Sequence, residues 1–158
     1  MKNIVFINER EYKDTLVGKE LLRLLEKSVF LKGDWGCFTE HYNEITLNIA
    51  LDNMVYILNN FLHSNQFDNI IIGWNFEDGE LINQLISYLD SRDFQITIFN
   101  LSDTSIYDVE NFELLNKEYQ KNYYTIESTG QLVKLSYVDT TDCSAFKSAH
   151  ILSGIINK

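Results

Sequence analysis

NIIIGW, residues 69–74, is the most decisively patterned stretch of this chain. An unbroken β-branched run bounded by Asp68 and Gly73 suits a strand buried on both faces inside a parallel sheet. Such a strand needs crossovers on either side of it, and the flanking sequence supplies them. Upstream, Leu47, Leu51, Met54, Val55, Leu58 and Phe61 recur at spacings of three and four between about Asn43 and Leu62, which predicts a long amphipathic helix. Downstream, Leu81, Leu85, Ile86 and Leu89 mark another.

The same alternation runs to both ends. NIVFI (3–7) reads as a doubly buried strand, and Val17, Leu21, Leu24 and Leu25 give a helix stripe ending near Lys27. SVFL (28–31), FQITIF (94–99) and VKLSYV (133–138) are further strands. A polar helix is expected at about 104–120, and a last helix over 143–156. Five strands alternating with five helices imply right-handed crossovers, hence an α/β fold of three layers with a five-stranded parallel sheet and helices on both faces. In such folds ligands bind beyond the carboxyl ends of the strands, at the switch in strand order. The candidate site is thereby confined to residues 8–15, 32–38, 74–78, 100–105 and 139–143.

Composition narrows the partners. At 158 residues the chain is expected to form a single domain, and a chain of that size buries roughly 70% of its unfolded surface. A net charge of −10 and three scattered arginines (Arg10, Arg23, Arg92) argue against nucleic acid or anionic membrane as partners. A small molecule or a protein remains. Cys37 and Cys143 lie far apart and fit no metal spacing, so they read as reduced thiols and no metal is expected. No basic-then-apolar leader opens the chain, and no apolar run nears the roughly 20 residues of a membrane span. A cytoplasmic location is expected.

Between the first strand and the first helix stands Glu9-Arg10-Glu11-Tyr12-Lys13-Asp14, with no glycine. The surrounding segments resemble those of the small bacterial P-loop kinases, of the AAA-like ATP-binding, nucleoside- or shikimate-kinase type. IVFIN matches the strand that ends in Ile-Asn before a glycine-rich loop, and GKELLRLLEKSVFL (18–31) the first helix and second strand. KGDW (32–35) matches a Gly-Asp-Trp turn, NNFLHSNQFDNIIIGW (59–74) the long helix and third strand, and YVDTTDCSAFKSAHIL (137–152) the late Asp-Thr turn and last helix. The resemblance implies a P-loop NTPase-like fold over 1–158, with about 102–132 as a divergent lid.

It also implies a phosphate loop, and here the chain departs from the pattern. A working loop reads G-x-x-x-x-G-K-[ST]; its backbone N–H groups and lysine hold phosphates and its hydroxyl holds Mg²⁺. The glycine positions fall on Glu9 and on Lys13 or Asp14, and Thr15 corresponds to the Mg²⁺-binding hydroxyl. Gly18-Lys19-Glu20 sits inside the helix and one turn too late. Losing three charge-assisted hydrogen bonds of about 1.5–3 kcal/mol each amounts to more than about a thousandfold in affinity. Asp14, at a helix start, can accept the free N–H groups of the first turn and hold that place with its own charge. Lys13, Asp14, Thr15 and Lys19 are thus expected to be remnants of a phosphate site. Residues 101–130 carry no arginine to serve a transferring phosphoryl group, only Lys117 and Lys121 among Asp103, Asp108, Glu110, Glu113 and Glu118.

By the same resemblance Asp34 would orient or deprotonate a substrate hydroxyl, the alternative being a turn aspartate. Trp35, two residues after Gly33, and Trp74, directly after Gly73, stand at strand ends, where they either stack on a ligand or pack the core. Asn75 and Glu77 are substrate contacts or the cap of the next helix. Asp139 and Thr140 occupy the loop that touches the nucleotide base in this family, or form a plain turn. His41, His63 and His150 belong to no triad or zinc motif. The expectation is a kinase scaffold with weak or absent ATP-dependent phosphoryl transfer, its cleft left to a small ligand or a protein. Its alternatives are an active small-molecule or nucleoside kinase with an unorthodox loop, which alone would need ATP and Mg²⁺, and an acidic regulatory or binding module.

Overall fold

The computed structural model describes residues 1–10, 12–41, 43–76, 80–91, 93–103 and 133–157. The elements run β1 (Lys2–Asn8), α1 (Tyr12–Leu24), β2 (Ser28–Lys32), a 3₁₀ turn (Gly33–Trp35), α2 (Glu44–His63), β3 (Asn69–Trp74), α3 (Glu80–Ser87), β4 (Phe94–Ser102), β5 (Val133–Asp139) and α4 (Ala145–Ile156). The helix expected at about 104–120, and the lid apart from its first two residues, lie outside the described residues.

All strand pairs are parallel, in the order β2-β3-β1-β4-β5. β1 and β3 therefore lie inside the sheet, which is why both are apolar on both faces. On one face Ile4, Phe6, Ile70, Ile72, Ile96 and Ile98 pack with Met54 and Leu58 of α2 and Ile82 and Leu85 of α3. On the other, Val5, Ile7, Phe30, Ile71 and Phe99 pack with Val17 and Leu21 of α1 and Ala149 and Leu152 of α4. The strands alternate between these two clusters because successive side chains point to opposite faces.

Local signals fix the ends. Asn43 caps α2: its Oδ1 accepts the Thr46 N–H at 3.0 Å, while Thr46 Oγ1 accepts the Asn43 N–H at 2.8 Å. This reciprocal box satisfies two helix-end donors and contributes on the order of 1 kcal/mol. At the amino edge of the sheet, Asn3 donates to Asn69 Oδ1 at 3.0 Å and accepts from Gln95, tying β3, β1 and β4 in register. Among the described residues no helix is long and apolar enough to cross a membrane.

The connection from β1 leads to α1 on one face, and that from neighbouring β3 leads to α3 on the other. The switch point thus lies between the carboxyl ends of β1 and β3.

Candidate functional site

At that switch point the backbone N–H of Glu9 donates to the Trp74 carbonyl at 2.9 Å, one residue beyond the β1–β3 register. Strand alternation sets Glu9 on the face of Val5 and Ile7, under α1. Its carboxyl lies directly over Gly73: a Cβ added there would stand 2.1 Å from Glu9 Oε1 and 2.8 Å from Cδ. Only glycine leaves the space. Thr15, in the first turn of α1, hydrogen-bonds the same carboxyl, while Oε1 is sealed from solvent without a partner.

Burial pushes the Glu9 pKa above the usual glutamate value, and Asp14 and Asp34 push the same way; Thr15 and Lys32 only partly offset this. The sign of the consequence is set by linkage. A carboxyl whose folded pKa stands above its unfolded one stabilises the fold below the unfolded pKa, and that contribution is lost as pH rises through the folded value. In thermal melts between about pH 4 and pH 8, spanning the ordinary carboxyl range and above, the midpoint of the native chain is expected to fall relative to Glu9→Gln as pH rises. Parallel curves would show that Glu9 titrates as an exposed carboxylate.

The start of α1 carries N–H groups without intrahelical partners and the positive end of the helix dipole. Asp14 is buried there, within the first turn rather than ahead of it, and its Oδ2 accepts the Arg10 N–H at 2.9 Å. Lys13 turns toward the other half of the sheet. Its Nζ donates to the Thr140 carbonyl at 2.9 Å and lies 3.4 Å from Asp103 Oδ2. Thr15 is buried, whereas Lys19 is exposed on the solvent side of α1. Three of the four expected phosphate-site residues thus gather at the loop, and Lys19 stands apart.

Around β2, Asp34 Oδ2 pairs with Lys32 Nζ at 3.2 Å on the half-exposed 3₁₀ turn. The two tryptophans differ. Trp35 is 60% exposed and meets Phe30 edge-on at 6.0 Å, while Trp74 is 9% exposed, laid over Gly33 and against Phe76. Asn75 is exposed; Glu77 lies outside the described residues. At the end of β5 the Thr141 hydroxyl, and then its N–H at 2.9 Å, hold the exposed Asp139 carboxyl below the usual aspartate range. Thr140 is buried, donating through its N–H and hydroxyl to the Ser102 carbonyl at 2.7 and 3.0 Å. Among the described residues no three His, Cys, Asp or Glu side chains gather so as to hold a metal ion.

Two residues at these strand ends lay within the candidate segments 8–15 and 100–105 but were given no individual role from the sequence. Asn8 and Asn100 face each other across β1 and β4, each 1% exposed, with Asn8 Nδ2 donating to Asn100 Oδ1 at 3.0 Å. The available signal was an asparagine directly after each of the runs IVFI (4–7) and FQITIF (94–99).

No family model matches the chain, and no curated protein matches it in sequence. Solved structures do match its shape. It is similar to the Deinococcus radiodurans tunicamycin resistance protein, at a TM-score of 0.59 and 13% identity over 99% of this chain and 96% of that one. A sugar kinase from Janibacter sp. HTCC2649 gives a TM-score of 0.58 and 8% identity over 99% and 95%. A de novo designed protein of P-loop NTPase fold gives 0.52 and 13% over 99% and 91%. These likenesses define the class: the chain has the P-loop NTPase fold, and kinases are among its structural neighbours.

Proposed function

We propose that this chain is a P-loop kinase-like protein whose phosphate loop is closed by its own carboxylates, so that ATP-dependent phosphoryl transfer is weak or absent. The cleft then serves a small ligand or a protein partner. The observation that carries this reading is the engagement of Asp14 with the Arg10 N–H at 2.9 Å. A triphosphate in this fold needs the loop's N–H groups, a lysine and a Mg²⁺-binding hydroxyl. Here an N–H of the loop is given to a carboxylate, and Lys13 is held by Thr140 and Asp103. Thr15 serves the Glu9 carboxyl. The residues present do not fit Mg·ATP.

Electrostatics supports the same reading. Each close carboxylate–phosphate pair adds about 1 kcal/mol of repulsion in water and several times that in a sheltered cleft. A phosphate at this loop would have to take the Arg10 N–H from Asp14 and the Thr15 hydroxyl from Glu9. Isothermal titration of the full chain with Mg·ATP is therefore expected to show no binding at micromolar concentrations. Micromolar affinity would overturn the reading and favour the active-kinase alternative, in which the half-exposed Asp34 is the base and turnover is lost in Asp34→Asn.

A further inference from the structure

One buried hydrogen-bond chain has a fixed polarity. The Phe76 backbone N–H donates to Asn8 Oδ1 at 2.9 Å, and a peptide N–H has no other role to play. Asn8 must then turn its Nδ2 toward β4, where Asn100 presents Oδ1 at 3.0 Å. Reversing Asn100 would set two NH₂ groups against each other. Its Nδ2 is therefore committed away from Asn8, and there it has neither a partner nor solvent. Buried side-chain donors are almost always satisfied, and one that is not calls for an acceptor.

Packing alone does not require an amide at this position. The preceding residues of β4 on the same face are Ile96 and Ile98, both buried and apolar, and at position 100 it is the Oδ1 that Asn8 uses, which leaves the Nδ2 without a structural role. Position 100 instead closes a line running across the carboxyl ends of the strands. Trp74, Asn8, Asn100 and Tyr137 are successive register partners on β3, β1, β4 and β5. Alternation sets all four on the face of Ile4, Phe6 and Leu135, so two amides lie between two aromatic residues. Among the described residues, Lys13 comes to this end of β4 and is held there by Asp103 and the Thr140 carbonyl. Burying a phosphate or carboxylate against a single neutral amide would leave its charge unpaired at a large desolvation cost, so an uncharged oxygen suits this donor better.

We propose that Asn100 is a ligand-binding residue of the cleft, its Nδ2 donating to a hydroxyl or carbonyl oxygen of a small uncharged ring compound. This rests on the reading that the cleft holds a small ligand, and it names that ligand's class. The full-length chain, labelled with ¹⁵N, tests it. The Asn100 NH₂ pair is assigned by its loss in Asn100→Leu, and D-glucose, uracil and inorganic phosphate are titrated separately.

A saturable shift of that pair is expected with D-glucose, if the acceptor is a hydroxyl, or with uracil, if it is a carbonyl. Asn100→Leu should bind the same probe about tenfold more weakly, as for one lost hydrogen bond. It removes one unpaired buried donor, Asn100 Nδ2, but takes from another, Asn8 Nδ2, its acceptor, and so should melt near the native midpoint. Should that variant fail to fold, Asn100→Ala takes its place in both measurements. A response to phosphate alone, or no saturable response to any probe, overturns the proposal. So does cross-relaxation of the pair with a long-lived water that persists in every titration. None of these probes carries a triphosphate, so tight Mg·ATP binding would remove the closed-loop reading and leave this result standing.

Discussion

Gly33→Ala is expected to lower the thermal midpoint by roughly 5–10 °C, from about 2–3 kcal/mol of overpacking in a domain of this size. The added methyl would stand 2.0 Å from both Cγ and Cδ2 of Trp74 and 2.5 Å from Cδ1. Those atoms are the root of the indole, not its flexible end, so they move only if the β3 backbone or the χ1 rotamer moves. Neither is free. Trp74 closes a strand paired with β1 and β2, and its ring meets Phe76 at 6.0 Å while Phe76 meets Phe6 at 5.3 Å. Differential scanning calorimetry measures the effect directly. An unchanged midpoint would mean that the ring has a second resting place.

Asn8→Ala should be costlier still. It removes the acceptor of the Phe76 N–H and the donor to Asn100 Oδ1, both buried. Buried groups deprived of a partner cost about 1–3 kcal/mol each, so a loss of roughly 3–5 kcal/mol is expected. In urea denaturation this lowers the midpoint with the slope unchanged, since the surface exposed on unfolding is nearly the same. A loss under about 1 kcal/mol, the net worth of one ordinary hydrogen bond, would show that water replaces the asparagine.

The fold was legible because its signals are local and repeated. NIIIGW is a strand of exactly the residues that pattern marks out, and Asn43 caps the helix whose stripe begins beside it. Boundaries shifted by a few residues: FQITIF extends to Ser102, because paired backbone continues after the apolar run ends. The site was legible only in part. Carboxylates were expected at the start of α1, and Asp14 is there. That Glu9 turns inward over Gly73 depends on two residues 64 positions apart (73 − 9), brought together by a strand order that periodicity does not reveal. The separate fates of Trp35 and Trp74 depend likewise on which face of the sheet each follows. Asn8 and Asn100 looked like ordinary strand ends until register set them side by side.

The hollow in β3 at Gly73 makes the present loop hard to undo by single steps. Transplanting a glycine-rich segment onto residues 9–14 would withdraw the Glu9 side chain and leave a void beside the Phe30 ring, which lies 3.2 Å from where a Cβ at position 73 would stand. Filling that void first, with alanine, collides with Glu9 while it is still in place. Each change is harmful alone and the two are compatible only together, as expected of groups that share one space. A lineage that has reached this arrangement is held there by epistasis, whatever its loop is asked to bind.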